Sequence, residues 1–318
     1  MAVTLKRSKR ITIGKDIELE KLNSENLKLL KMYKRDMLMR ELSEKSIYNY
    51  EKDILQWFKY LYKEQFNPSV LELTEDEIEE FIFFCKEEGN NTERIRRRFA
   101  SISAFYKFLR RKKKVQENPL EFIPRPKKGL PVVEQTYLTK EQFNELKDKL
   151  RELGNLQLEV YARLSLTTMG RVNAISNITW EQIDFESRTI NDVLEKEGKI
   201  VTLFFDEEVK ELLIELKKFR ENHDIECNYV FCTKYNKQYK QADVTTLRSW
   251  ASKVGKIVNV KLHPHDFRHS YATLLVNNGM PIEVVSSLLN HSGLDVTRKH
   301  YIKQDTRKLQ EDKDKFAL

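Results

Sequence analysis

At 318 residues the chain is too long for one average domain and long enough for two, each able to bury its own core. A third of the residues are charged and the formal net charge is +8, but the surplus is uneven: residues 1–130 hold 29 Lys and Arg against 21 Asp and Glu, and the remainder holds 28 of each. A basic surplus confined to one segment fits a phosphate-backbone polyanion as partner, whereas three cysteines are too few for a disulfide framework and point to a reducing cytoplasm. No signal-peptide pattern is visible and no apolar run approaches the ~18 residues that span a bilayer, so no membrane partner is expected.

In chain order, residues 1–22 carry Lys6, Arg7, Lys9 and Arg10 without a helical period and read as a basic N-terminal arm. Residues 23–120 read as a four-helix bundle. Ile47, Tyr50, Ile54, Phe58 and Leu61 recur at three- and four-residue spacing, and Thr74-Glu75-Asp76-Glu77 supplies a capping box. Ile95, Phe99, Ile102, Phe105 and Tyr106 form the apolar face of a further helix, and Arg94, Arg97 and Arg98 are placed on the opposite face. Lys112 and Lys113 extend the charge past the helix end. Arginines on a helix of groove-fitting diameter suit phosphates or guanine edges, against the blander reading of a solvated face; Lys45 and Asn49 are candidates for the same work.

Residues 121–136 hold Pro124, Pro126 and Pro131 with Lys127-Lys128-Gly129 and read as the interdomain linker. A second domain, residues 137–303, opens on the capping box Thr139-Lys140-Glu141-Gln142. A helix from about Leu156 ends near Gly170, and Arg171 stands at the entrance of the next, beside free N–H groups suited to an anion. Residues 189–194 and 199–205 flank Glu197-Gly198 as a β-hairpin with Lys196 at its tip. Pro264 opens a helix that carries His265, Arg268 and His269 at neighbouring positions, followed by Asn290-His291-Ser292 and Tyr301. Cys227 and Cys232 with His263 and His265 offer half a zinc site, but no second paired motif completes the usual ligand spacing, so no metal and no cofactor are expected.

The run Leu262-His263-Pro264-His265-Asp266-Phe267-Arg268-His269-Ser270-Tyr271-Ala272-Thr273, with Leu288-Leu289-Asn290-His291-Ser292 and then Tyr301, resembles the tyrosine recombinase (phage integrase) family, of the simple two-domain Xer-like type. Arg171 after a helix-ending glycine, the hairpin Lys196 and the preceding bundle ending Asn118-Pro119-Leu120 belong to the same resemblance, which runs in order from about residue 25 to 303. It implies a mainly α protein: a helical core-type DNA-binding domain followed by a mixed α+β catalytic domain with a small β-sheet. It also implies site-specific cutting and rejoining of double-stranded DNA at paired half-sites, by a dimer on each site and a tetramer in synapsis. Tyr301 would be the nucleophile, Arg171 and Arg268 the phosphate clamps, Lys196 the acid for the leaving 5′ oxygen. His265 would assist the tyrosine proton and His291 would bond the phosphate. The segment 304–318 would dock on a neighbouring protomer through Phe316 and Leu318.

The chain departs from the family pattern at three points. Ala174 stands where an acid often follows the first arginine, Thr168-Met169-Gly170-Arg171 replaces the commoner threonine-glycine-apolar-arginine, and the interval from His291 to Tyr301 is one residue longer than usual. Lys199 competes with Lys196 for the hairpin role, Lys196 being preferred because it precedes the turn. The alternatives are a type IB topoisomerase, which shares the same residues, a catalytically silent DNA-binding protein on the same fold, and a metal nuclease built on the histidines, which lacks carboxylates at ligand spacing.

Overall fold

The computed structural model describes residues 16–127, 138–195, 198–290 and 314. The chain divides into two compact units, Met1–Val133 and Glu134–Leu318. Each has its own apolar core.

The first unit is built from α1 (Ser24–Met39), α2 (Glu44–Glu64), α3 (Glu75–Glu87) and α4 (Thr92–Arg111). Each start is fixed by a polar side chain that satisfies free backbone N–H groups: Asn23 accepts from Glu25 and Asn26, Ser43 from Ser46, and Asn91 from Arg94. At α3 the Thr74 N–H donates to the Glu77 carboxylate at 2.9 Å, the expected capping box. The helices close over Trp57, Phe58, Phe81, Phe105 and Tyr106, all fully buried. Tyr106 satisfies its hydroxyl by donating to the Val70 carbonyl at 2.8 Å, whereas the buried Trp57 Nε1 has no hydrogen-bond partner among the described residues. Ile123, inside the expected linker, is buried in this same core, and the Pro126 carbonyl accepts from Arg96.

The second unit runs α5 (Lys140–Glu152), α6 (Leu156–Thr167), α7 (Val172–Asn177), β1 (Ile183–Asp184), β2 (Thr189–Leu194), β3 (Ile200–Phe204), α8 (Glu207–Asn222), β4 (Cys232–Tyr235), β5 (Gln238–Gln241), α9 (Val244–Ile257), α10 (Pro264–Asn277) and α11 (Ile282–Leu288). Strands β1, β2 and β3 form one antiparallel sheet in that order, and β4 and β5 a separate hairpin. Helix α6 is buried on almost every side, with Val160, Ala162, Leu164 and Leu166 inaccessible, because α5, α8, α9 and α10 surround it. Tyr161 at its centre donates to the Leu247 carbonyl at 2.8 Å and meets Phe231, Trp250 and Phe267 edge-on. That cluster packs the middle of α6 against the start of α10. The β4–β5 hairpin was not legible in the sequence, because its turn is Asn236-Lys237, both at positive φ, without the glycine that usually marks such a turn.

Among the described residues no helix is long and apolar enough to cross a membrane, and no three His, Cys, Asp or Glu side chains are gathered as metal ligands.

Candidate active site

The site forms where the α6–α7 connection, the turn between β2 and β3, the first turn of α10 and the end of α11 meet. Its innermost member is Arg268, only 4% exposed. Position 268 falls one turn into α10, after Pro264 has set the first helical φ and Asp266 has accepted the His263 N–H at 2.6 Å. The guanidinium donates through Nη1 to the Met169 carbonyl at 2.7 Å and through Nη2 to the Leu289 carbonyl. One buried cation thus ties three segments distant in sequence. Both bonds run to main-chain carbonyls, so they hold the guanidinium in place without neutralising its charge.

Met169 has φ +52, the left-handed region that a branched or long side chain seldom occupies. The departure at 168–171 has its explanation here. The backbone needs the left-handed residue at 169, where the family pattern has glycine, and this chain holds methionine there by burying its side chain with Ala272, Val285 and Leu289. Gly170 follows in a place where a Cβ would come within 2.7 Å of Ile175 Cδ1. Arg171 then takes the N-cap position of α7 without a side-chain capping bond, its side chain partly exposed.

Arg171 is ion-paired through Nη1 to Glu195 Oε2. Sequence reading missed Glu195, and the cause is local. Following alternation from Ile190 would turn residues 192 and 194 inward. Instead Asp192 sits at φ +54 and the β2–β3 register shifts between Ile190 and Val193, so Val193 and Glu195 face in while Leu194 is 49% exposed. The Glu195 N–H donates to the Lys199 carbonyl at 2.7 Å and closes the turn.

His265 keeps an exposed edge, yet its pKa is held below the ordinary histidine value, first by desolvation and then by Arg268, Arg171 and Arg248. These arginines therefore act on one imidazole, and Arg248, exposed on α9, is a neighbour that sequence spacing did not reveal. Desolvation raises the Asp266 carboxyl. His269 is half-buried. Lys199 Nζ donates to the Asn290 carbonyl at 3.0 Å, bringing the hairpin to the residue before His291. Arg171, His265 and Arg268 are thus brought together; Lys196, His291 and Tyr301 lie outside the described residues, as do the first fifteen residues of the arm and the C-terminal anchors Phe316 and Leu318.

In the first unit Lys45, Lys112 and Lys113 are exposed and Asn49 is half-exposed. Arg94 and Arg97 are partly exposed, and both pair with the buried Asp53: Arg97 donates through Nε and Nη2 at 3.0 Å each, and Arg94 lies at 3.3 Å. Arg98 corrects the sequence reading. It is 3% exposed, donates to Asn90 Oδ1 at 3.0 Å and lies over the Phe81 ring. Position 98 is three after Ile95 and four before Ile102, so it falls within the apolar stripe and not opposite it.

Residues 136–308 match the phage integrase family, and residues 30–113 match the phage integrase N-terminal SAM-like domain. The chain belongs to the phage integrase family. It is 27% identical over 305 residues to the tyrosine recombinase XerC of Pediococcus pentosaceus, covering 91% of this chain and 98% of that one. It is 28% identical over 275 residues to a tyrosine recombinase of Thermosipho africanus, covering 81% and 89%. Among solved structures, the Tn1549 transposon integrase in complex with transposon right end DNA shares the fold at a TM-score of 0.70 with 17% identity, covering 91% of this chain and 99% of that one. XerH site-specific recombinase bound to palindromic difH substrate does so at 0.70 with 16% identity, covering 86% and 81%.

Proposed function

We propose that this chain is a site-specific DNA recombinase that cuts and rejoins double-stranded DNA through a 3′-phosphotyrosyl intermediate. The observation that carries the reading is the convergence of Arg171, from the start of α7, with His265 and Arg268 of α10, on a chain of the phage integrase family whose relatives above are tyrosine recombinases.

Tyr301 is the nucleophile. Its oxygen attacks a backbone phosphorus, the P–O5′ bond breaks, and a free 5′-hydroxyl leaves. A phenol with pKa ~10 is a weak nucleophile at neutral pH, so a proton acceptor and nearby positive charge are needed. His265, its pKa lowered first by desolvation and then by its arginine neighbours, accepts that proton. Arg171 and Arg268 stabilise the nonbridging oxygens as charge builds on them, Arg268 held rigid by its two carbonyl partners. Lys196 protonates the leaving oxygen; the engagement of Lys199 with Asn290 supports that choice. His291 bonds the phosphate. The phosphotyrosyl ester keeps the bond energy, so attack by a 5′-hydroxyl from another strand reverses the step on a new partner.

The first unit holds the DNA through Lys45, Asn49, Arg94, Arg97, Lys112 and Lys113, with a dimer on paired half-sites, a tetramer in synapsis and the segment 304–318 docking between protomers. The test is incubation with a nicked duplex, selected from randomised duplexes by binding to the protein, in EDTA. A covalent protein–DNA adduct that is lost in Tyr301→Phe supports the reading; no adduct on a duplex that binds sinks it.

A further inference from the structure

The Glu195 side chain is 2% exposed, whereas that of its partner Arg171 is 30% exposed. A carboxylate withdrawn this far from water requires a cation, and Arg171 is the group that supplies it. Oε1 of Glu195 is buried without a hydrogen-bond partner, so the pair rests on the single oxygen Oε2. Swinging Arg171 away would strand a buried charge. The arginine is therefore pinned before any substrate arrives, with its side chain still 30% exposed.

Position 174, one helical turn after Arg171, holds a fully buried alanine that offers no hydrogen bond to the guanidinium. We infer that Glu195 is the positioning residue for Arg171, taking the place of an acid on α7. The bulge at Asp192 is what aims Glu195 inward, and the Glu195 N–H to Lys199 carbonyl bond fixes the turn around it. The inference rests on the recombinase reading above.

Its test uses the full chain and the selected nicked duplex. Glu195→Gln keeps the side-chain volume and removes a buried charge, so the fold is retained, which circular dichroism checks. The expected result is adduct formation slowed by about 10- to 100-fold, with affinity for the duplex changed by less than about twofold, since misplacing a clamp costs transition-state stabilisation more than binding. In an Arg171→Ala background the same change should alter the remaining rate by less than about twofold, because the arginine it positions is gone. A wild-type rate for Glu195→Gln, or an equal loss in both backgrounds, overturns the inference and leaves the recombinase reading standing. Absence of any adduct with the wild-type chain overturns both.

Discussion

At the scale of single residues, the site holds two arginines in unlike settings, Arg268 on main-chain carbonyls and Arg171 on the Glu195 carboxylate. Arg171 and Glu195 form a half-buried pair, and removing either member has unequal consequences. Arg171→Ala leaves the Glu195 carboxylate buried and unpaired, and should lower unfolding free energy by about 2–3 kcal/mol, less than a fully buried pair because the arginine is partly solvated. Urea titration checks this, and adding Glu195→Gln should recover most of the loss. His265 makes a second prediction. Its folded pKa is depressed, so between the unfolded value of ~6.5 and the lower folded value the unfolded chain binds a proton that the folded chain refuses. The stability it contributes is complete above that unfolded value and is lost as pH falls below it. Melting temperature measured against pH should therefore fall less on the acid side in His265→Gln than in the wild type. His265 and Arg268 could be read from their spacing on one helix, as could Arg171 from its glycine. Glu195 could not, because its inward aim depends on a bulge that shifts the strand's alternation by one residue.

At the scale of elements, periodicity found the four helices of the first unit and most of those in the second, because caps and apolar stripes are local signals. It failed where the face of a residue was assigned by charge type. Arg98 lies within the buried stripe of α4, partnered by Asn90 and Phe81. The sequence placed it on an exposed face, and the structure buries it. Arg94 and Arg97 remain accessible but are held by Asp53, which also accepts from Ser101 at 3.0 Å. The end of α4 is different, since Lys112 and Lys113 stand exposed beyond the ion pairs of Arg110 with Glu121 and Arg111 with Asp36. Lys112→Ala and Lys113→Ala should each weaken duplex binding about equally for all sequences and reduce the slope of log affinity against log salt by about 0.9. Unchanged slopes in filter-binding titrations would place these lysines off the DNA.

At the scale of the whole molecule, the uneven charge and the two cores describe one division of labour. The basic surplus lies in residues 1–130, whereas the remainder holds equal numbers of basic and acidic side chains, so the arginines and histidine of the candidate site act there as local charges. Ile54 and Leu213 are both inaccessible, one in each core. Ile54→Ala and Leu213→Ala should each destabilise their own unit by about 2–4 kcal/mol and leave the other unchanged. Scanning calorimetry of the full chain should show one of two transitions moving in each variant; a single transition shifted by both would mean the cores unfold together. Length, charge asymmetry and the ordered motifs were enough to see two domains and their order. The packing that joins α6, α10 and α11 through Arg268 was not visible, because its partners are main-chain carbonyls at Met169 and Leu289 that no side-chain pattern announces.

The most direct test of the account is the chemical identity of the protein–DNA linkage. The wild-type chain is incubated with the selected nicked duplex in EDTA, the adduct is digested with protease and nuclease, and the remaining peptide–nucleotide conjugate is sequenced by tandem mass spectrometry. The expected product is the peptide containing Tyr301 esterified to a 3′-phosphate, with a free 5′-hydroxyl on the released strand. A conjugate on another residue, a 5′-phosphate linkage, or cleavage without any conjugate would contradict it.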